Sequence, residues 1–217
     1  MKGVLFDIDG TLVDTNYLHA VTWAEAFRSC GYAVATSRLH HLIGQGSDRL
    51  VTSVLGKDDP AVAEAHADFY GPHLHHLCAF DGAADLLRKI RASGVSVVLA
   101  TSAAKRDARF LADAIDADDA IDHLTTNDDA DSSKPDPDIV NAALRGAGLD
   151  AADCVFVGDT TWDVEAAKRA GMPCICVLTG GIDERELRDA GAIEIYEDVS
   201  ALHERLAQSA IGALIDR

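Results

Sequence analysis

From Gly82 onward, short runs of consecutive apolar residues alternate with stretches whose apolar positions recur at helical spacing. That rhythm predicts an α/β core with a mainly parallel sheet, because strands covered by helices on both faces bury every side chain. The predicted strands are residues 4–8, 95–100, 121–125, 154–157, 174–178 and 192–195. Between them, Leu86, Leu87 and Ile90 mark a helix that Gly94 ends, while Ile139, Val140, Ala143 and Leu144 mark one opened by Asp136-Pro137 and closed by Gly148. Gly171 ends a further helix after Asp163.

Residues 15–81 break the pattern. No run there reads as a strand; Tyr17, Val21, Ala24 and Phe27 form a helical stripe, and Gly44, Gly56 and Pro60 punctuate the segments that follow. The expectation is a helical subdomain of residues 15–81, inserted into a core made of residues 1–14 and 82–217.

Composition narrows the function classes. A net charge of −17 repels phosphate backbones and anionic lipid, which argues against nucleic-acid and membrane partners. The longest apolar runs fall well short of the ~20 residues that cross a bilayer, and residues 3–6 run straight into Asp7-Ile8-Asp9 instead of a secretory signal. Five cysteines, three of them inside apolar strand-like runs, fit reduced thiols and hence the cytoplasm. Cys174-x-Cys176 lacks the second pair of a zinc site. An acidic chain that handles an anion needs local positive charge, from a metal ion or from chosen lysines.

The candidate chemistry sits at strand ends, where open α/β sheets place their ligands. The first strand runs into Asp7-Ile8-Asp9-Gly10-Thr11-Leu12-Val13-Asp14. Aspartate is a covalent nucleophile for phosphoryl groups, and a neighbouring acid can protonate a leaving oxygen; taken alone, such a pair also serves simply to cap a turn. Thr101 and Ser102 end the second core strand with hydroxyl and backbone donors for phosphate oxygens, or with ordinary turn chemistry. Lys134 lies in Ser133-Lys134-Pro135, ahead of a helix, and can neutralise both a phosphate and neighbouring acids. Asp159 and Asp163 stand four apart at a strand-to-helix junction, an oxygen-rich pair suited to magnesium or to capping the helix.

These elements, in this order, resemble the haloacid dehalogenase superfamily, in its phosphatase branch with a helical cap. The resemblance rests on Asp7-x-Asp9-Gly10-Thr11-Leu12-x-Asp14, Thr101, Lys134 and Gly158-Asp159-x-x-x-Asp163, and spans nearly the whole chain. It implies a Rossmann-like parallel sheet with an inserted α-helical cap. It further implies that Asp7 is the nucleophile and a Mg2+ ligand, and that Asp9 is the general acid and base and lends its backbone carbonyl to the metal. Asp159 would be the other main ligand, Asp163 would support the metal through water or from behind the ligands, and Thr101 and Lys134 would hold the transferring phosphoryl group. The dehalogenases that name the superfamily lack an acid at the Asp9 position, which argues against carbon–halogen cleavage here.

The segments Asp14-Thr15-Asn16-Tyr17-Leu18-His19 and Ile43-Gly44-Gln45-Gly46-Ser47-Asp48-Arg49 are similar to those of phosphoglycolate phosphatase and β-phosphoglucomutase relatives. They make His19 and Arg49 candidate substrate contacts from the cap; a structural helix histidine and a surface charge are the competing readings. His73, His75 and His76 could converge on a transition metal or form a solvated helix end. Trp162 is expected to pack on the sheet. The expected function is therefore a Mg2+-dependent phosphatase acting on a small phosphorylated metabolite, as a monomer or homodimer. The rivals are a phosphosugar mutase and a catalytically idle binding module.

Overall fold

The computed structural model describes residues 1–216. Among them, six parallel strands form one sheet: β1 (Gly3–Phe6), β2 (Ser96–Ala100), β3 (His123–Thr125), β4 (Cys154–Gly158), β5 (Cys174–Val177) and β6 (Glu194–Tyr196), in the spatial order β3-β2-β1-β4-β5-β6. Successive side chains go to opposite faces. Val4, Phe6, Val97, Leu99, Val155 and Val157 join one apolar cluster, while Leu5, Val98, Ala100, Phe156, Cys174 and Cys176 join another. The continuous apolar runs are thereby explained, each fully buried large side chain contributing about 1.5–3 kcal/mol.

All six predicted strands are present, with shifted ends. Residues 7 and 8 fall outside β1 because the Ile8 carbonyl already accepts the N–H groups of a turn. β3 is short because the Asp122 carboxylate takes the Val97 N–H at 3.0 Å, in place of a backbone acceptor. Ala192 is missing from β6 because its N–H, with that of Gly191, is spent on Leu187 O at the end of the preceding helix.

Between β1 and the core's next helix lie four helices: α1 (Asn16–Ser29), α2 (Thr36–His40), α3 (Ser47–Leu55) and α4 (Pro60–Tyr70). They share a third apolar cluster around Trp23, Phe27, Leu39, Leu50, Val51 and Val62. The stripe read on α1 is only half buried. Ala24 and Phe27 are inside, whereas Tyr17 and Val21 are 60% and 51% exposed, because the buried face runs through Asn16, Ala20 and Trp23.

The core helices are α5 (Ala83–Ala92), α6 (Lys105–Ile115), α7 (Asp138–Ala147), α8 (Thr161–Arg169), α9 (Glu184–Ala190), α10 (Val199–Glu204) and α11 (Ala210–Ile215). From β1 the chain moves outward through β2 and β3, then returns to place β4 on the other side of β1. The strand order reverses there, and the carboxyl ends of β1 and β4 flank the crevice where such sheets bind ligands.

Candidate active site

β1 delivers the first acid. The Asp7 N–H donates to Val157 O at 2.9 Å, one residue beyond the strand, and Asp7 is 2% exposed at the sheet edge. Ile8 O then accepts from the N–H groups of Thr11, Leu12 and Val13 at 3.2, 2.9 and 3.0 Å. Gly10 turns the chain at φ 77°, in the left-handed region that glycine occupies without strain; a side chain there would also collide with Asn16 and Asp159. The turn breaks the strand alternation and separates the two acids. Asp7 faces Lys134, whereas Asp9 faces Thr15, Thr101 and His19.

Lys134 is fully buried. Its Nζ donates to Asp7 Oδ1 at 2.6 Å and to Asp163 Oδ1 at 2.7 Å, and lies 5.6 Å from the Phe156 ring centroid. Burial favours the neutral amine, but Asp163 and Asp7 outweigh it and hold the ammonium above its ordinary range. Burial pushes the Asp7 carboxyl up to about 8, with Lys134 opposing and Asp163 and Asp9 adding to the rise.

β4 and α8 supply the remaining acids. Asp159 accepts from Thr11 Oγ1 at 2.9 Å and from Asn16 Nδ2 at 2.7 Å, and burial, then Asp163 and Asp7, raises its carboxyl well above the usual range. Asp163 closes a capping box with Thr160: its Oδ2 accepts the Thr160 hydroxyl at 2.6 Å and the Thr160 N–H at 3.0 Å. Capping and site chemistry therefore coexist, since its other oxygen holds Lys134. Oxygens of Asp7, Asp159 and Asp163 lie within 4.8 Å of one another.

Lys134 bonds two of these three buried carboxyl groups, and the raised Asp7 and Asp159 reflect the excess of negative charge that ionising all three would create. The Asn16 Oδ1 beside it is buried with no hydrogen-bond partner among the described residues. An oxygen-only donor set with surplus charge and an orphaned amide oxygen fits a hard divalent cation such as Mg2+.

Asp9 occupies a different environment. It accepts from Thr15 Oγ1 at 2.8 Å and Thr101 Oγ1 at 3.1 Å, and His19 Nε2 lies 3.3 Å from its Oδ1. Burial alone would raise this carboxyl; the His19 hydrogen bond and charge, with the bonds from Thr15 and Thr101, outweigh it and hold Asp9 below the usual range. His19 thus stands beside Asp9.

Asp7, Asp9 and His19 line a cavity of about 170 Å³ whose upper wall includes Trp23, Leu50, His66 and Tyr70. His19 Nδ1 lies 3.3 Å from His66 Nε2. The rings form two stacks between α1 and α4, His19 on Tyr70 at 4.2 Å and Trp23 on His66 at 3.9 Å. His66 and Tyr70 escaped the sequence reading, as did Arg106 and Asp107 at the start of α6, which also line the cavity. The one signal available was spacing: His19 and Trp23, and His66 and Tyr70, are each four apart and so share a helix face.

The other expected residues have their own partners. Arg49 is ion-paired to Asp136, which also takes Arg169 at 3.0 Å, and Arg49 does not line the cavity. Ser102 lines the cavity, but its hydroxyl donates to Gly44 O at 3.3 Å and so ties cap to core. Thr101 likewise spends its hydroxyl on Asp9 and accepts the Ala103 N–H at 3.0 Å. Trp162 does not pack on the sheet; its Nε1 donates to His41 O at 3.3 Å, and it lies against Gly44, because the loop after α2 covers the start of α8. His73, His75 and His76 are exposed on a short turn after α4, where His75 meets Phe110 edge-on at 5.0 Å.

The family model for the haloacid dehalogenase-like hydrolases matches residues 1–171. The chain belongs to this family. Within the haloacid dehalogenase-like hydrolases it is similar to the phosphoglycolate phosphatase of Rhodospirillum rubrum, 31% identical over 93% of this chain and 89% of that protein. It is also similar to the validoxylamine A 7'-phosphate phosphatase of Streptomyces hygroscopicus, 29% identical over 82% and 86% of the two chains. A crystal structure of a hydrolase from Pseudomonas syringae superposes with a TM-score of 0.91 at 32% identity, covering 97% of this chain and all of that one. The strand-end acids described above therefore belong to a haloacid dehalogenase-like hydrolase, and no described helix is long and apolar enough to cross a membrane.

Proposed function

We propose that this hydrolase is a Mg2+-dependent phosphatase that cleaves a small-molecule phosphate monoester through an aspartyl-phosphate on Asp7. The observation that carries the reading is the division of labour between the two strand-end acids: Asp7 is fixed by Lys134 within the acid cluster, and Asp9 is turned toward the cap and His19. Two chemically identical side chains are thereby prepared for different tasks. The relatives named above support the reaction class, and their two different substrates leave selectivity to the cap.

Asp7 and Asp159, with Asp163 behind them and the Asp9 backbone carbonyl, would hold the cation. When bound, Mg2+ supplies charge neutralisation for the phosphoryl oxygens. Lys134 keeps the Asp7 carboxylate oriented and adds positive charge beneath the transferring group. An Asp7 oxygen forms a bond to phosphorus in line with the ester oxygen, whose bond to phosphorus breaks and whose electron pair leaves with the alcohol. Asp9, ionised at rest, takes a proton from His19 3.3 Å away and passes it to that oxygen. Water then attacks the phosphorus while Asp9 takes its proton; the Asp7–phosphorus bond breaks and inorganic phosphate leaves. The cap wall excludes bulk water during both steps. The five free cysteines are in keeping with a reducing compartment such as the cytoplasm.

The test is phosphate release from a panel of phosphorylated sugars, phosphoglycolate, nucleotides and nitrophenyl phosphate, with Mg2+ and with chelator. Mg2+-dependent release is expected. Isomerisation of a sugar phosphate without release would establish a mutase, and inertness toward the whole panel would leave a binding module.

A further inference from the structure

Tyr70 is 4% exposed and lines the cavity, yet its hydroxyl has no hydrogen-bond partner among the described residues. A buried hydroxyl left unpaired is unfavourable and uncommon, and in a binding cavity it marks where a ligand atom belongs. The ring beneath it is fixed by stacking on His19 at 4.2 Å and on His66 at 5.6 Å. Burial first, then Asp9 and Asp107, pushes the phenol's pKa up, so Tyr70 stays a proton-bearing donor.

The surrounding wall is short of free positive charge. Trp23 and Leu50 are apolar, and His66 is held neutral, its pKa brought down to about 2 by burial, with His19 and Arg106 adding and Asp9 opposing. Arg49 is committed to Asp136 outside the cavity. Arg106 lies 66% exposed at the rim and is paired with Asp107 at 3.3 Å. A carboxylate placed against this wall would lose its water, find no unpaired cation, and face Asp9 and Asp107 as like charges.

We propose that the leaving alcohol is an uncharged, hydroxyl-bearing ring or polyol, that Tyr70 donates a hydrogen bond to one of its hydroxyls, and that leaving groups carrying a carboxylate or a second phosphate are rejected. This rests on the phosphatase reading and goes beyond it by naming the substrate class. Apolar carbons of such a molecule would lie against the Trp23 and His66 rings while Tyr70 reads one oxygen, which is how ring-lined pockets combine area with orientation.

The experiment uses the full chain with Mg2+. Glycerol phosphate and hexose phosphates are compared with phosphoglycolate and phosphoglycerate, and nitrophenyl phosphate reports the core chemistry alone. A kcat/KM advantage of about tenfold or more for the uncharged alcohols is expected, on the scale by which sites reject an unmatched polar group. Tyr70→Phe keeps the stacked ring, and should raise KM for the hydroxylated substrates by about tenfold with kcat nearly unchanged. Nitrophenyl phosphate, which has no hydroxyl to offer, should lose clearly less kcat/KM than the hydroxylated substrates do. Preference for the carboxylated esters, or an equal loss on every substrate in Tyr70→Phe, overturns the proposal. Absence of phosphate release from every one of these esters in the wild type would instead bring down the phosphatase reading beneath it.

Discussion

The Lys134 ammonium stands 2.6 Å from Asp7 Oδ1 with both side chains almost completely buried, and its other hydrogen bond, to Asp163, ties the end of β1 to the start of α8. The lysine is thus at once a structural bridge between two elements and the resident counter-charge of the acid cluster.

Lys134→Met preserves much of the side-chain volume while leaving Asp7 and Asp163 without their cation. Removing one partner of a buried ion pair costs about 3–5 kcal/mol, so a fall in stability of that order is expected by thermal or urea unfolding. Turnover should drop by roughly a hundredfold or more even at temperatures where the variant is folded, because a preorganised charge at the transferring group is lost.

Asp7→Asn and Asp9→Asn should separate in a way their adjacency does not suggest. The first removes the nucleophile, and turnover should fall by roughly a thousandfold or more with no phosphoenzyme formed. The second retains it. With nitrophenyl phosphate or acetyl phosphate, whose leaving groups need little protonation, phosphate should accumulate on Asp7, visible by intact mass spectrometry after an acid quench. Full turnover by Asp7→Asn, or label on another residue, would overturn the covalent route.

Mg2+ should raise the melting temperature progressively with the logarithm of its concentration, since a cation bound by the folded acid cluster stabilises by mass action. Calorimetry with and without chelator checks this independently of activity. Calcium should bind but inhibit, because its longer bonds and larger ligand number disturb in-line attack by Asp7. Equal turnover after chelation would remove the metal from the mechanism.

His66 carries the clearest acid sensitivity outside the acid cluster. Its folded pKa, about 2, lies below the ordinary histidine value of 6.5, so the unfolded chain binds the extra proton. The stability of this half-buried neutral ring is fully present well above pH 6.5 and is lost as the pH falls toward the folded value. Between neutrality and pH 5 the loss should be about 2 kcal/mol. His66→Gln should flatten that acid limb in unfolding curves recorded across the range; an unchanged limb would show that the ring is already solvated.

The strand-end residues of the candidate site were legible because each lies just past its strand: Asp7 and Asp9 after β1, Thr101 after β2, and Asp159 after β4 are placed by local chain direction once the parallel sheet is recognised. Gly10 was legible for the same reason, a turn signal at a strand end. The cap wall was not. His66 and Tyr70 acquire meaning only because α4 lies against α1, and nothing within residues 60–70 announces rings stacked on Trp23 and His19, far back along the chain.

Periodicity and strand-end chemistry, which depend on neighbours in the chain, determined by themselves that this protein has a parallel α/β sheet with acids gathered at its carboxyl edge. Only the tertiary structure decided that Arg49 turns to Asp136, that Ser102 and Trp162 fasten the cap, and that His66 and Tyr70 complete the cavity. Those outcomes turn on which partner a long side chain reaches across a helix interface, where competing contacts differ by about 1 kcal/mol and local pattern carries no information about the choice.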